Sequence, residues 1–132
     1  MRYLLDTNAV IAILNRAESK AFANMLKHRN EDVATSSIVM HELFFGAYKS
    51  ARQARNLSVL EAFQLTILDF DGDDAREAGK VRAHLTQRGR PIGPYDVLLA
   101  GHALAGSLTC VMANTREFSR LSEWLHLSAG EA

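Results

Sequence analysis

Three acidic residues, each set in apolar sequence, are the side chains of this chain best suited to chemistry. Asp6 ends the short apolar run Tyr3-Leu4-Leu5, Glu42 lies on the mostly apolar segment 38–48, and Asp96 precedes the apolar segment 97–105. A carboxylate in such surroundings costs free energy unless a ligand or a cation compensates for it. The three acids therefore predict one convergent cation site.

The chemistry of such a site follows from its charge. Two carboxylates about 4 Å apart repel each other by roughly 4 kcal/mol at an effective dielectric constant of 20, so they need a cation between them. Mg²⁺ takes one or two protein carboxylates, keeps several waters and binds phosphate oxygens. A metal held in this way can activate water and stabilise charge on a phosphoryl group under attack.

Each acid also has an ordinary structural explanation. An aspartate after a strand often caps the following helix, and an aspartate in a first helical turn is favoured by the helix dipole. A glutamate on a helix is usually solvated. Only the joint placement of Asp6, Glu42 and Asp96 favours a metal site over these alternatives.

Length and composition indicate one globular domain, residues 1–132, with equal numbers of acidic and basic residues. A zero net charge gives no sign of a strongly basic nucleic-acid binder, although local patches remain compatible with it. We find no apolar run long enough to span a membrane and no signal-peptide pattern. The single cysteine, Cys110, excludes an intrachain disulfide and fits a cytoplasmic protein.

Alternating strands and helices predict an α/β fold with a mainly parallel sheet. Strands are expected at residues 2–5, 32–35, 66–70 and 108–113, the last as a core strand that holds Cys110. Helices are expected at 8–14, 19–29, from a cap at Ser36 or Ser37 to 49, at 52–63, from caps at Asp73 and Asp74 to 87, and at 94–105. A short helix or turn is expected at 119–127. Ligands of such sheets bind beyond the carboxyl ends of the strands, where Asp6 falls.

Four motifs, in order along the chain, resemble those of the PIN-domain nucleases, specifically the VapC toxins of bacterial type II toxin–antitoxin pairs. The first is Leu4-Leu5-Asp6-Thr7-Asn8, and the second runs from Ser36-Ser37-Ile38 through Met40-His41-Glu42-Leu43 to Gly46-Ala47. The third is Arg90-Pro91-Ile92-Gly93-Pro94-Tyr95-Asp96 with Ala100 and His102-Ala103. The fourth is Asn114-Thr115-Arg116-Glu117-Phe118. The resemblance implies a PIN-like three-layer sandwich with helices flanking the sheet.

The resemblance also implies roles for individual residues. Asp6 and Asp96 would bind Mg²⁺, or Mn²⁺ in its place, and Glu42 would complete the acidic triad through a water or a second metal. Glu117 matches the fourth family acid. Thr7, Asn114 and Arg90 would support the site. Met112 stands where the family commonly has a threonine, so the fourth motif departs from the usual pattern there.

The implied reaction is hydrolysis of RNA, often tRNA or ribosomal RNA, by a metal-activated water that leaves a 5′-phosphate and a 3′-hydroxyl. The implied partners are a VapB-like antitoxin, a second copy of the chain through residues 44–48 and the helix after them, and operator DNA through the antitoxin only. Candidate phosphate contacts are Lys49, Arg52, Arg55, Arg82, Arg88 and Arg90.

Two other classes of function remain open at this point. A small α/β protein with an aspartate after its first strand could be a phosphatase or a receiver domain, although Asp6-Thr7-Asn8 lacks the Asp-x-Asp of the former. It could also be a binding module that keeps the fold without the chemistry. A Ser-His-Asp triad is not excluded, but no Gly-x-Ser-x-Gly elbow is present.

Overall fold

The computed structural model describes residues 2–16 and 32–111. They form the strands β1 (Tyr3–Leu5), β2 (Val33–Ser36), β3 (Thr66–Leu68) and β4 (Thr109–Val111). The helices are α1 (Thr7–Arg16), α2 (Ser37–Lys49), α3 (Gln53–Ala62), α4 (Gly72–Gln87) and α5 (Pro94–Ala105). Each predicted element in these ranges is confirmed: β1 and β3 are shorter than expected, β2 is shifted by one residue, and the last two residues of the expected strand 108–113 lie outside the described residues. The expected elements at 19–29 and 119–127 lie outside the described residues.

The four strands form one parallel sheet in the order β3-β2-β1-β4. Leu4 of β1 pairs with Ala34 of β2 on one side and with Cys110 of β4 on the other. This confirms the predicted α/β fold with a parallel sheet. Because all strands point the same way, their carboxyl ends share one edge, and α1 and α2 begin at that edge.

The core lies where β1 and β2 pack against the flanking helices. Leu4, Leu5 and Val33 are buried together with Val10 and Ile13 of α1. β4 is less buried than the core strand that was expected, because Thr109 is exposed and Cys110 is half-buried. No helix within residues 2–16 and 32–111 is long and apolar enough to cross a bilayer.

The helix starts carry side-chain caps. Ser36 caps α2, its hydroxyl oxygen accepting the Ile38 N–H at 3.1 Å. The prediction that Asp73 and Asp74 cap α4 was wrong, because Asp71 is the N-cap and Asp74 forms the other half of a reciprocal capping box. The Asp74 N–H, donating to the Asp71 carboxylate, lowers the pKa of Asp71 below its usual value.

Helices α4 and α5 cross at a very close approach. A Cβ atom added to Gly101 of α5 would lie 2.3 Å from the backbone nitrogen of Ala78 in α4. Both residues are buried, so a side chain at position 101 has no room. The crossing fixes α5, and with it Asp96 in the first turn of that helix.

We therefore expect Gly101→Ala to lower the free energy of unfolding by roughly 2 kcal/mol or more, because the added methyl group would force the two helices apart. Gly79→Ala is the matched control. Gly79 lies within α4, and a Cβ there would meet nothing within 4 Å. That control should raise the free energy of unfolding by up to about 1 kcal/mol through helix propensity alone. Urea unfolding measures both, and equal effects of the two substitutions would contradict the close crossing.

Candidate active site

The three acids predicted from the sequence come together in one cavity. Asp6, Glu42 and Asp96 all line a cavity of about 230 Å³ at the carboxyl edge of the sheet. The other lining residues are Thr7, Asn8, Gly93, Pro94, Tyr95 and Leu99. Residues from three separate motifs, distant in sequence, thus meet at the edge where a parallel sheet binds its ligands.

Asp6 is both a helix cap and a wall of the cavity. One of its oxygens, Oδ1, accepts the Ala9 N–H at 2.7 Å, and its own N–H donates to the Val111 carbonyl at 3.0 Å. The residue is only 6% exposed. The capping explanation and the functional one therefore hold together, because the hydrogen bond that begins α1 also fixes the carboxylate in place.

Asp96 and Glu42 reach the cavity from two different helices. Asp96 lies in the first turn of α5, where the positive end of the helix dipole favours its charge. A Cβ on Gly93 would lie 3.3 Å from Asp96 Oδ2, so the glycine leaves room for that carboxylate. Glu42 is partly exposed and lies about one and a half turns into α2.

The donor set fits a hard divalent cation. Every side-chain donor of the acidic cavity is an oxygen apart from the Asn8 amide nitrogen, and carboxylate oxygens are the ligands such a cation prefers. The hydroxyl oxygen of Thr7 is buried and has no hydrogen-bond partner among residues 2–16 and 32–111, which leaves an acceptor available to a ligand or its water. No three Asp, Glu, His or Cys side chains in the described ranges are close enough to hold a metal by themselves. The predicted fourth-motif residues Glu117 and Asn114, like Met112, lie outside the described residues.

The basic residues expected to contact phosphate lie elsewhere. All six are exposed, and none of them lines the acidic cavity. Arg90 lies in the turn before α5, where its backbone N–H donates to the Leu85 carbonyl. Lys49 sits 5.6 Å from the ring centre of Phe45. The structure therefore brings the three acids together, and of these six cations it places only Arg55 in a cavity that Glu42 also lines.

An apolar groove of about 390 Å³ opens beside the acidic cavity and was not predicted from the sequence. It runs between α1, α2 and α3, and Ile11 and Val59 on its walls are each about two-fifths exposed. Thr7 and Glu42 line both the groove and the acidic cavity. An occupant of the groove would therefore reach the acids directly.

A buried hydrogen-bond chain joins the helices that surround the site. His102 Nδ1 lies 3.0 Å from the Ser36 hydroxyl oxygen, and His102 Nε2 lies 3.3 Å from Asp74 Oδ2. That Asp74 oxygen also accepts the Asp71 N–H at 2.8 Å, so we assign the His102 Nε2–H as a donor to it. Ser36 then donates to Nδ1 while accepting from Ile38. Each member is 5% exposed or less.

The Ser36–His102–Asp74 chain has the residue types of a hydrolase triad but cannot act as one. Ser36 is fully buried, so no substrate can reach its hydroxyl. The chain instead connects the start of α2 and the start of α4 to the last turn of α5. It thereby holds the helix of Glu42 and the helix of Asp96 in a fixed relation. The sequence pointed to Ser36 and Asp74 only as caps and to His102 only as part of a motif.

We expect His102→Ala to lower the free energy of unfolding by roughly 3 kcal/mol, because it leaves a buried carboxylate and a buried hydroxyl without their partner. Urea unfolding of His102→Ala, Asp74→Ala and the double variant measures the coupling between the two residues. The exposed pair Lys80–Glu77 on α4 is the matched control. Glu77→Ala should cost less than about 1 kcal/mol. Additive effects at His102 and Asp74 would contradict the connection.

Comparison with known proteins gives the chain's family. The PIN domain matches residues 3–123. The chain is 40% identical over 124 residues to the tRNA(fMet)-specific endonuclease VapC of Salmonella typhimurium and 37% identical over 123 residues to the protein of the same name in Shigella flexneri. Each alignment covers 92% of both chains.

Solved structures agree with the sequence matches. The DNA-bound VapBC of Salmonella typhimurium aligns with a TM-score of 0.77 at 37% identity, covering 90% of this chain and 91% of that one. VapBC2 of Rickettsia felis bound to a promoter DNA fragment aligns with a TM-score of 0.75 at 36% identity, covering 91% and 92%. The chain therefore belongs to the PIN-domain family and, within it, to the VapC-type endoribonucleases.

Proposed function

We propose that this chain is a Mg²⁺-dependent toxin that cuts phosphodiester bonds in tRNA, or in another structured RNA, and so stops translation in the cytoplasm. The observation that carries the proposal is the cavity in which Asp6, Glu42 and Asp96 meet beside the Thr7 hydroxyl, which has no hydrogen-bond partner in the described part of the chain. The names of the Salmonella and Shigella relatives, both specific for a tRNA, support tRNA as the first substrate to test.

The position of each residue indicates the role that it would take in the reaction. Asp6 and Asp96 would hold the metal, with Glu117 as the fourth acid and Asn114 and Arg90 in support. Asp6 enters this role with its orientation already set by the Ala9 N–H. A bound divalent cation supplies activation of water and stabilisation of charge at phosphorus.

Glu42 is the acid best placed to orient the attacking water. It is partly exposed, and it stands on a helix that does not depend on its side chain for capping. Its carboxylate can accept a proton from water as the water oxygen bonds to phosphorus. The bond to the 3′-oxygen then breaks, and this oxygen takes a proton from solvent water, which leaves a 3′-hydroxyl on one fragment and a 5′-phosphate on the other.

A VapB-like antitoxin is the partner we propose for the apolar groove. The related structures are VapBC complexes, some of them bound to DNA, so contact with operator DNA would come through the antitoxin. The groove is walled by exposed apolar side chains and ends at Thr7 and Glu42. An apolar segment seated there could direct a basic side chain at the acids. Phe45 and Tyr48, each about three-fifths exposed on α2, support a homodimer through residues 44–48.

The nuclease proposal predicts that purified protein free of antitoxin cuts total tRNA at discrete sites with Mg²⁺ and not with EDTA. Asp6→Asn, Glu42→Gln and Asp96→Asn should each reduce the cleavage rate by about 100-fold or more, because each removes charge from the centre of the reaction. Asparagine is as good a helix cap as aspartate, so Asp6→Asn tests the charge without removing the start of α1. Gel analysis of end-labelled tRNA gives the rates.

Glu61→Gln is the control for charge loss, because Glu61 is exposed on α3 and lines neither the acidic cavity nor the groove. Cleavage that persists in EDTA, or in all three cavity variants, would refute the metal site. RNA binding without cleavage under every condition would instead favour a module that has lost the chemistry.

The antitoxin proposal predicts that Val59→Glu weakens inhibition of the nuclease by the purified cognate antitoxin about tenfold or more, because it places a charge in an apolar contact. The same variant should cut tRNA at the wild-type rate in the absence of antitoxin. Leu104→Glu, at an apolar and exposed position on α5 outside the groove, is the control. If the antitoxin inhibits Val59→Glu and Leu104→Glu equally, it binds outside the groove.

A further inference from the structure

Two aromatic rings stand together at the mouth of the acidic cavity. Tyr95 lines the cavity, and the His41 ring lies beside it, with 6.0 Å between ring centres and 44° between ring planes. Tyr95 is the one aromatic residue among the described residues that line this cavity. Neither ring is needed for the acids to meet, so their position calls for a separate explanation.

Both rings remain open to solvent although they are close enough to contact. Tyr95 is 42% exposed and His41 is also exposed. Rings at this spacing attract each other, but the contact leaves most of their outer faces uncovered. An exposed aromatic face next to a site for phosphate is a surface on which another planar group can stack.

The chain fixes both rings relative to the acids. Tyr95 directly precedes Asp96 in the first turn of α5, and His41 directly precedes Glu42 on α2. α5 is held against α4 by the close approach at Gly101, and α2 is tied to α5 through His102 and Ser36. The distance from the rings to the carboxylates is therefore set by the same contacts that hold the carboxylates together.

We propose that Tyr95, with His41 beside it, forms a stacking shelf for the nucleobase next to the scissile phosphate. This inference rests on the proposed nuclease function. Aromatic and histidine side chains bind unpaired bases by stacking, and such contacts tolerate several bases because every base has a flat face. A base in a duplex is already stacked on its neighbours, so the shelf selects single-stranded segments such as the loops of a structured RNA.

The shelf also explains how a cavity with no cation among its described lining residues can hold an anionic substrate. Charge at the phosphate would be met by the metal, and the base would supply affinity that does not depend on charge. Tyr95 and His41 are then base-binding residues, distinct from the acids that act on the phosphate. Removing a ring should weaken substrate binding more than it slows the bond-breaking step.

The test uses the whole protein and total tRNA to map a cleavage site, followed by a synthetic stem-loop RNA that carries it. Tyr95→Ala should raise the KM for this RNA roughly tenfold or more, the loss expected for one stacked base, while kcat changes less. Tyr95→Phe, which keeps the ring, should recover most of that loss. His41→Ala should raise KM in the same direction. Leu104→Ala, at the exposed far end of the same helix, is the matched control.

A second arm removes the base instead of the ring. Stem-loop RNAs with one abasic nucleotide on either side of the cut identify the base that stacks. At that position the wild type should cleave the abasic RNA more poorly than the intact RNA. Tyr95→Ala should cleave the two RNAs equally well, because the substitution has already deleted the contact that the abasic nucleotide removes. If the losses caused by the abasic nucleotide and by Tyr95→Ala add at both neighbouring positions, the shelf is refuted.

Other outcomes separate the shelf from the nuclease proposal. If the wild type cleaves RNA only with Mg²⁺ and a folded Tyr95→Ala variant has the wild-type KM, the shelf is refuted and the nuclease proposal stands. A lower melting temperature of Tyr95→Ala with unchanged KM assigns the rings a packing role only. Should Tyr95→Ala not fold, Tyr95→Leu, which keeps apolar bulk without a stacking face, takes its place with the same expected rise in KM. Wild-type protein that cuts no RNA with Mg²⁺ refutes both proposals.

Discussion

The candidate site depends on one buried hydrogen-bond chain. His102 in the last turn of α5 contacts Ser36, which caps α2, and Asp74, which lies in the first turn of α4. Polar groups buried at these positions would be costly without one another, so the three helices are held in the single arrangement that satisfies all of them. Glu42 and Asp96 lie on two of those helices and meet in the cavity for that reason. A site built from distant segments needs such a constraint because loops alone would not fix it.

Repulsion among the three carboxylates is the second constraint, and it destabilises the arrangement that the hydrogen-bond chain stabilises. Three carboxylates around about 230 Å³ repel one another, and of the three only Asp6 and Asp96 lie at a helix N-terminus, where the dipole favours their charge. The structure lowers this cost for Asp6 with the Ala9 N–H, yet within the described ranges it gives the buried Thr7 hydroxyl no partner. Repelling charges and an unsatisfied buried polar group both lower the stability of the protein. Their presence in one cavity is typical of a site that a ligand completes. The resemblance to VapC nucleases and the physical state of the cavity therefore point to the same ligand, a divalent cation.

Sequence patterns predicted the features that depend on neighbouring residues. Pro94 marked the start of α5 and Ser36 the start of α2, because a first-turn proline and a serine cap act locally. The cap of α4 was misplaced, since Asp71, Asp73 and Asp74 stand within four positions and each is a plausible cap. The His102 contact with Ser36 spans 66 positions, and no local pattern encodes it. The groove was missed because Ile11 and Val59 are 48 positions apart in the sequence and only the packing of three helices brings them together.

The residues shared by the groove and the cavity indicate how a bound partner could inhibit an enzyme of this kind. Thr7 and Glu42 line both, so a partner seated in the groove and an RNA seated at the acids would contact the same two residues. Exclusion is then direct and needs no second conformation of the protein. The rigid helix arrangement around His102 agrees with this, because allosteric inhibition requires an element with two stable arrangements. Tyr95 lines the cavity and not the groove, so the residue proposed to stack a base lies outside the surface proposed for the antitoxin.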